Sequence, residues 1–317
     1  MSKMHKILAV IRVTAGVAAC NKGSAAPMMA ASNKEASETL EVQTLRCVKF
    51  ANANKGWAAG SNGTVIRTVN GGKTWTYENS GTTQWIYGID FVGSSFGWMV
   101  GSAGLVLATR NGGASWMPQS SGIPATLFGV SFVDTENGWA VGEGGSILKT
   151  SDGGTTWELQ RSGTEHCLKA VKFVSKSVGY AAGSHGTILK TMNGGGTWFL
   201  LDGGSESFFG IDVVDADTAW VAGTNGRILA TVDGGQSWTS QTTGTTVTLY
   251  GISCVNRQEA WASGVQGTML YTSDAGATWM QLAPETAQTL YGVSSKASPK
   301  CWAVGCNGTI LEAEDLD

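Results

Sequence analysis

Six side chains of matched type recur along the chain and are the first candidates for chemistry: Asn70, Asn111, Asp152, Asn193, Asp233 and Asp274, each two residues after a Thr and five before a Trp. Gathered in one place, such groups would hold a metal or act as an acid and base pair. Their spacing of about 41 residues places each in a separate copy of one repeat, so they cannot converge. Within its own copy, each fits a local task. The Asp or Asn accepts backbone N–H groups, a Gly two positions on takes a conformation other residues disfavour, and the Trp anchors the turn. Other reactive types are scarce. The histidines are His5, His166 and His185, and no Ser/His/Asp or metal-ligand spacing emerges. The cysteines are Cys20, Cys47, Cys167, Cys254, Cys301 and Cys306, with no C-x-x-C pair. Only Cys301 and Cys306 lie close enough in sequence to suggest a bridge in an oxidising compartment, against their being two small residues of one repeat. Neither catalytic residues nor a cofactor nor a metal is expected.

Composition narrows the classes further. Lys and Arg number 21 against 24 Asp and Glu, a net charge of −3, which leaves no footprint for a phosphate backbone and no expectation of nucleic acid. The informative excess is 45 Gly and 13 Trp. An aromatic-Ala/Met/Val-x-Gly motif starts at Trp57, Trp98, Trp139, Tyr180, Trp220, Trp261 and Trp302. A second series, Trp75, Trp116, Trp157, Trp198, Trp238 and Trp279, follows at a constant 18 residues, so that Trp85 alone stands outside both. One unit, 127–161, reads LFGVSFV, DTENG, WAVGE, a glycine turn, SILKT, SDGGTTW and ELQR. Four short β-rich runs bounded by turn residues predict a four-stranded antiparallel meander. Such sheets bury their faces only by packing on one another around an axis, which makes the chain an all-β, seven-bladed β-propeller. The seventh unit lacks its outer strand, ending in EAEDLD, so an N-terminal strand must close the last blade; 38–44, which alternates polar and apolar residues, is the segment expected to do so.

The turns TVNGGKTW (68–75), TRNGGASW (109–116), TSDGGTTW (150–157), TMNGGGTW (191–198), TVDGGQSW (231–238) and TSDAGATW (272–279) resemble the Asp-box, or BNR repeat, found in sialidases, sortilin-type receptors and photosystem II assembly factors. The whole unit, GWAVG then GTILKT then TxDGGxTW over 45–311, resembles the photosystem II assembly and stability factor family and its bacterial relatives. That resemblance implies a non-enzymatic propeller exported to the thylakoid lumen or bacterial envelope, which holds a membrane-protein subunit during assembly. Photosynthetic members carry an arginine-rich binding patch. Here Arg46, Arg67, Arg110, Arg161, Arg227 and Arg257 are scattered, so no binding arginine is carried over.

The N-terminus reads as a targeting segment over 1–20: Lys3 and Lys6 precede an apolar run, and Val17-Ala18-Ala19-Cys20 resembles a lipobox that would lipidate Cys20. A tether, 21–37, then leads into a single propeller domain, 38–317. Binding residues are sought where the repeat breaks its own pattern. The tips of blades three and four carry Glu143, Arg161, Glu165, His166 and His185, with Arg227 following in blade five, and Trp85 stands near the mouth of the ring. A further row, Lys49, Asp90, Ser131, Lys172, Asp212, Ser253 and Ser294, is polar in an otherwise apolar strand and is expected to face the channel and pair internally. The expectation is a monomeric, exported, protein-binding scaffold in the periplasm, cell envelope or thylakoid lumen. A glycan-binding or sialidase-like Asp-box propeller is the alternative.

Overall fold

The computed structural model describes residues 6–8, 43–297 and 300–316, and side chains are not considered for 6–8, 296–297 and 314–316. Seven four-stranded antiparallel sheets form a closed ring, each sheet a meander whose first strand lines the axis. The inner strands are Leu45–Phe50, Ile86–Val92, Leu127–Phe132, Leu168–Phe173, Phe208–Val213, Leu249–Cys254 and Leu290–Ala297. Blade three continues through Gly138–Gly142, Ile147–Thr150 and Glu158–Gln160, with Trp139 opposite both Ser131 and Lys149. Gly138–Gly142 is buried at every position, because a second strand has a neighbouring blade against both faces. Outer strands are short and exposed, which limits the edge available for unwanted pairing.

The two tryptophan series weld blade to blade. Trp57, Trp98 and Trp139 stack on Phe91, Phe132 and Phe173 of the next inner strand at 3.5–3.6 Å between centroids, and Trp302 stacks on Phe50 at 3.7 Å across the seam. The second series meets the same phenylalanines edge-on, as in Phe132–Trp157 at 5.9 Å and 88°. The indole N–H of Trp57, Trp98 and Trp139 then reaches across to donate to Gly112, Gly153 and Gly194 O, in the next blade's Asp-box. Blades five to seven place Val213, Cys254 and Ser295 where these phenylalanines stand, and Tyr271 packs on Trp261 at 4.5 Å instead.

The last blade takes a strand from the N-terminus, as its missing strand required. Lys6–Leu8 pairs antiparallel on Glu314–Leu316. Residues 38–42 of the expected clasp, the tether 21–37 and Cys20 lie outside the described residues. Gln43 and Thr44 are not a strand of blade seven; they cross to the mouth, where Gly308 N–H donates to Gln43 O at 2.7 Å and Ser61 N–H to Thr44 O at 2.9 Å. Edge pairing uses backbone groups alone, so any extended N-terminal stretch can supply it. Lys6–Leu8 falls inside the targeting segment, so cleavage before Cys20 would remove the strand.

Candidate protein-binding face

All seven turns between second and third strands lie at one end of the ring. Each is tied there by an N–H donated to the connection entering the inner strand: Ser61 to Thr44 O, Ser102 to Trp85 O, Glu143 to Thr126 O, Ser184 to Cys167 O, Thr224 to Ser207 O, Val265 to Thr248 O and Cys306 to Thr289 O, at 2.9–3.0 Å. This end is the mouth face, and it carries the tips singled out from sequence. The glycine ending each second strand permits the approach: a Cβ on Gly142 would lie 2.1 Å from Thr126 O.

The second residue of every inner strand rings the axis just inside the mouth. Blade by blade these are Arg46, Tyr87, Phe128, Lys169, Phe209, Tyr250 and Tyr291. Neighbours touch almost all the way round. The Arg46 guanidinium lies 3.8 Å from the Tyr291 ring centre and 5.6 Å from Tyr87, and Tyr87 meets Phe128 at 5.3 Å. The Lys169 ammonium sits 3.6 Å from the Phe128 ring centre, and Phe209, Tyr250 and Tyr291 follow at 5.0 Å each. They enclose about 80 Å³, so the row nearly shuts the channel. Partial burial lowers Lys169 from the ordinary lysine value, with Arg46 adding like charge while Cys167 and Glu143 pull the other way. Burial raises Tyr291, helped by the Cys306 thiol, whose Sγ lies 3.6 Å from the Tyr291 hydroxyl.

The sequence-selected residues take up different places around this row. Trp85 is 38% exposed and stacks on Tyr87 at 6.0 Å and 18°, extending the aromatic row outward. His166 and His185 meet at 4.7 Å between ring centres, with His166 Nδ1 and Thr187 Oγ1 sharing a hydrogen bond at 2.8 Å. Glu143 turns back on its own blade, where Oε2 accepts the Thr126 N–H. Arg161 and Glu165 are exposed on an open cleft of about 510 Å³ beside blade three's outer strand. Arg227 stands apart in blade five, its Nε buried without a hydrogen-bond partner. These residues share the mouth face without forming one cluster. The seven-residue row itself was missed from sequence, although the signal was present: the residue before the inner-strand Gly or its counterpart is aromatic five times and cationic twice.

The polar row three residues further along the same strands is internally paired, as expected. Lys49 and Asp90 form a 2.6 Å ion pair. Asp90, Ser131, Asp212 and Ser294 accept N–H groups from Phe132, Phe173, Cys254 and Phe50 of the next blade at 2.8–3.1 Å. Ser253 accepts from Ser295 N–H at 3.2 Å. These side chains therefore satisfy donors on the inner edge of the following sheet. Burial would raise Asp90, but Lys49, Lys172 and the Phe132 N–H hold it below the carboxylate range. Burial would lower Lys172, and Asp212 and Asp90 hold it above the lysine range instead.

The Asp-box groups are engaged within their own turns. Asp152 Oδ1 accepts from Thr150 Oγ1 at 2.8 Å and Thr156 N–H at 2.9 Å, and the other five boxes repeat this pattern. Ser237 and Thr231 hold Asp233 down to about 2, whereas a general acid needs a raised value. Among the described residues no group of three or more His, Cys, Asp or Glu could hold a metal, and Cys301 and Cys306 are free thiols. No helix among the described residues is long and apolar enough to cross a membrane.

A closed seven-bladed propeller stitched by Asp-box turns, with an aromatic and cationic mouth, defines the class. Within that class, five overlapping stretches, 27–119, 77–159, 119–202, 161–243 and 203–283, match the family described as photosynthesis system II assembly factor YCF48, and the chain belongs to that family. Solved structures agree on the fold. "YCF48 bound to D1 peptide" is 20% identical, covering 87% of this chain and 93% of its own, with a TM-score of 0.73. YCF48 from Cyanidioschyzon merolae is 19% identical, covering 86% and 95%, at 0.70. Virginiamycin B lyase from Staphylococcus aureus, 11% identical and covering 88% and 97%, reaches 0.77, so likeness of fold does not separate scaffold from enzyme. No curated protein matches the chain.

Proposed function

We propose that this protein is a non-catalytic, exported scaffold whose mouth face holds an extended segment of a protein partner, a membrane-protein subunit or an assembly intermediate. The observation that carries the reading is the mouth row. Five aromatic rings and two cations crowd one opening, where no partner blade covers them, as at the anchor clusters of protein interfaces. Trp85 enlarges that surface, and the cations favour a segment bearing carboxylates. A protein partner accords with family membership and with a structural neighbour that is itself bound to a D1 peptide. The absence of catalysis rests on the Asp-box carboxylates being held ionised inside their turns. Export, with lipidation at Cys20 as a membrane tether, rests on the N-terminal pattern, and the scaffold acts as a monomer.

The test is retention of a partner from membrane extracts by the wild-type protein and by an Arg46→Ala/Tyr291→Ala variant, alongside a glycan array. We expect one saturable protein partner whose retention falls at least about tenfold in the variant, the loss of a central anchor pair. Saturable glycan binding with no mouth-dependent protein partner would replace this reading with the lectin-like one. A Trp85→Ala/His166→Ala/His185→Ala variant asks how far the contact spreads, and undiminished retention would confine it to the row.

A further inference from the structure

On the opposite face, two of the seven blades carry alanine where the other five keep a long side chain, and beside one of the two the place stands open. The third-strand residue opposite the first-series aromatic is Arg67, Ala108, Lys149, Lys190, Ala230, Tyr271 and Glu312 in blade order. Lys149 brings its ammonium to 5.8 Å from the Trp139 ring centre. Lys190 lies 5.1 Å from the Tyr180 ring centre and donates to Gly234 O at 2.7 Å and Ala216 O at 3.4 Å, in the turns of the next blade. Arg67 pairs with Glu78, Glu312 with Lys300, and Tyr271 packs on Trp261. Ala230 is only 7% exposed. Ala108 is half-buried, and beside it an open cleft of about 420 Å³ runs between blades two and three.

The walls of this cleft match those of the lysine-filled place in blade four. Thr135 stands where Ala216 does in the turn after the inner strand, and Gly153 where Gly234 does in the Asp-box. Gly153 O already accepts from Trp98 Nε1 and Gln119 Nε2, at 3.0 Å each. The acceptors left to an incoming cation are therefore Thr135 O, the Glu136 carboxylate and what Asp152 Oδ2 offers beside its 2.7 Å bond from Thr156 Oγ1, with Phe96 and Ala108 as an apolar wall for its stem. Arg110 is a like charge, exposed at the rim and outnumbered by the two carboxylates.

We propose that this cleft binds a primary alkylammonium group, the end of a lysine side chain on a partner protein, in the place that Lys149 and Lys190 fill for their own blades. The site is independent of the mouth and of any partner held there.

The probe is Nα-acetyl-lysine methylamide, titrated into the full chain while the Trp98 indole N–H signal is followed by NMR, with Nα-acetyl-norleucine methylamide as the uncharged match. The expected result is a saturable shift with the lysine probe, at about millimolar affinity for a single charged contact, and none with norleucine. Ala108→Lys supplies the group in cis and should abolish the shift while leaving the thermal midpoint unchanged or higher. Should that variant not fold, Glu136→Gln decides, with an expected weakening of at least threefold. Equal shifts from both probes, a lysine response that persists in folded Ala108→Lys, or unchanged affinity in Glu136→Gln would each overturn the proposal.

Discussion

The same seven strands carry two rows of side chains only three residues apart, and the rows behave as opposites. The row at 49, 90, 131, 172, 212, 253 and 294 is polar and turned inward on the protein, where carboxylate and hydroxyl oxygens accept N–H groups of the next blade. The row at 46, 87, 128, 169, 209, 250 and 291 takes few hydrogen bonds, and its members touch one another mainly through ring faces. The first kind of row holds a ring together, since each side chain meets a backbone donor that would otherwise be buried unpaired. The second leaves its chemistry available to a ligand. Polarity alone is therefore a poor guide to function here, because the charged row is the structural one.

The contrast is broken or upheld most directly by removing one charge from each row. Asp90→Ala removes the carboxylate that Lys49 pairs with, leaves Lys172 with Asp212 alone and takes the acceptor from the Phe132 N–H, at 5% side-chain exposure. Truncating one partner of such a buried pair costs about 3–5 kcal/mol. Arg46→Ala, which loses cation–π contacts at the solvent-facing end, should cost no more than about 1 kcal/mol. Denaturant melts of the two variants decide it, and equal losses would erase the division into structural and binding rows.

How much of this was legible in the sequence follows from what leaves a trace there. The blades were legible because each needs one buried aromatic in its second strand and one anchor after its box, and the fixed interval from Trp139 to Trp157 repeats. The structural row was legible because a Lys, Asp or Ser inside an apolar strand demands an explanation. The mouth row was not, since Tyr87, Phe128 and Phe209 in a strand look like ordinary core, and only the ring geometry shows that they face the axis. Trp85 stood out as the tryptophan outside both series, and His166 and His185 by rarity. The need for an N-terminal strand on the last blade was legible from its missing fourth run, but which residues supply it was not, because backbone pairing leaves no side-chain signature: Lys6–Leu8 pairs on Glu314–Leu316, and 38–42 lie outside the described residues.

A gentler perturbation is pH, which acts on both rows with opposite sign. Asp90 is depressed in the folded chain, so its contribution is present above the unfolded carboxylate value of about 4 and is lost as pH falls through the folded value. Lys172 is raised, so its contribution is complete below about 10.4 and is lost as pH rises through its folded value. Lys169 at the mouth is lowered; the folded chain binds that proton less tightly, and its unfavourable contribution fades as pH rises from the lowered folded value and is gone above the ordinary lysine value of about 10.4. Thermal midpoints from pH 2 to 6 should therefore fall less steeply in Asp90→Asn than in wild type. Parallel acid limbs would assign acid sensitivity to the Asp-boxes, whose carboxylates are also depressed.

The smallest expected effect is also the sharpest test of what the structural row does. Ser131 carries no charge and is 1% exposed, and its Oγ accepts the Phe173 N–H at 3.1 Å across the boundary between blades three and four. Ser131→Ala removes that acceptor without opening a cavity of any size, so the loss isolates one stitch. A buried donor left unpaired costs about 1–3 kcal/mol, and the low end is expected here because the channel beside this row is wide enough, at about 380 Å³, to admit water. Amide exchange at Phe173 should quicken in the variant while that of Phe132, held by Asp90, stays as it was. If Phe173 exchanges at the wild-type rate, channel water replaces the hydroxyl fully. The row's stabilising role would then belong to its ion pairs alone, and the serines at 131, 253 and 294 would be mere lining.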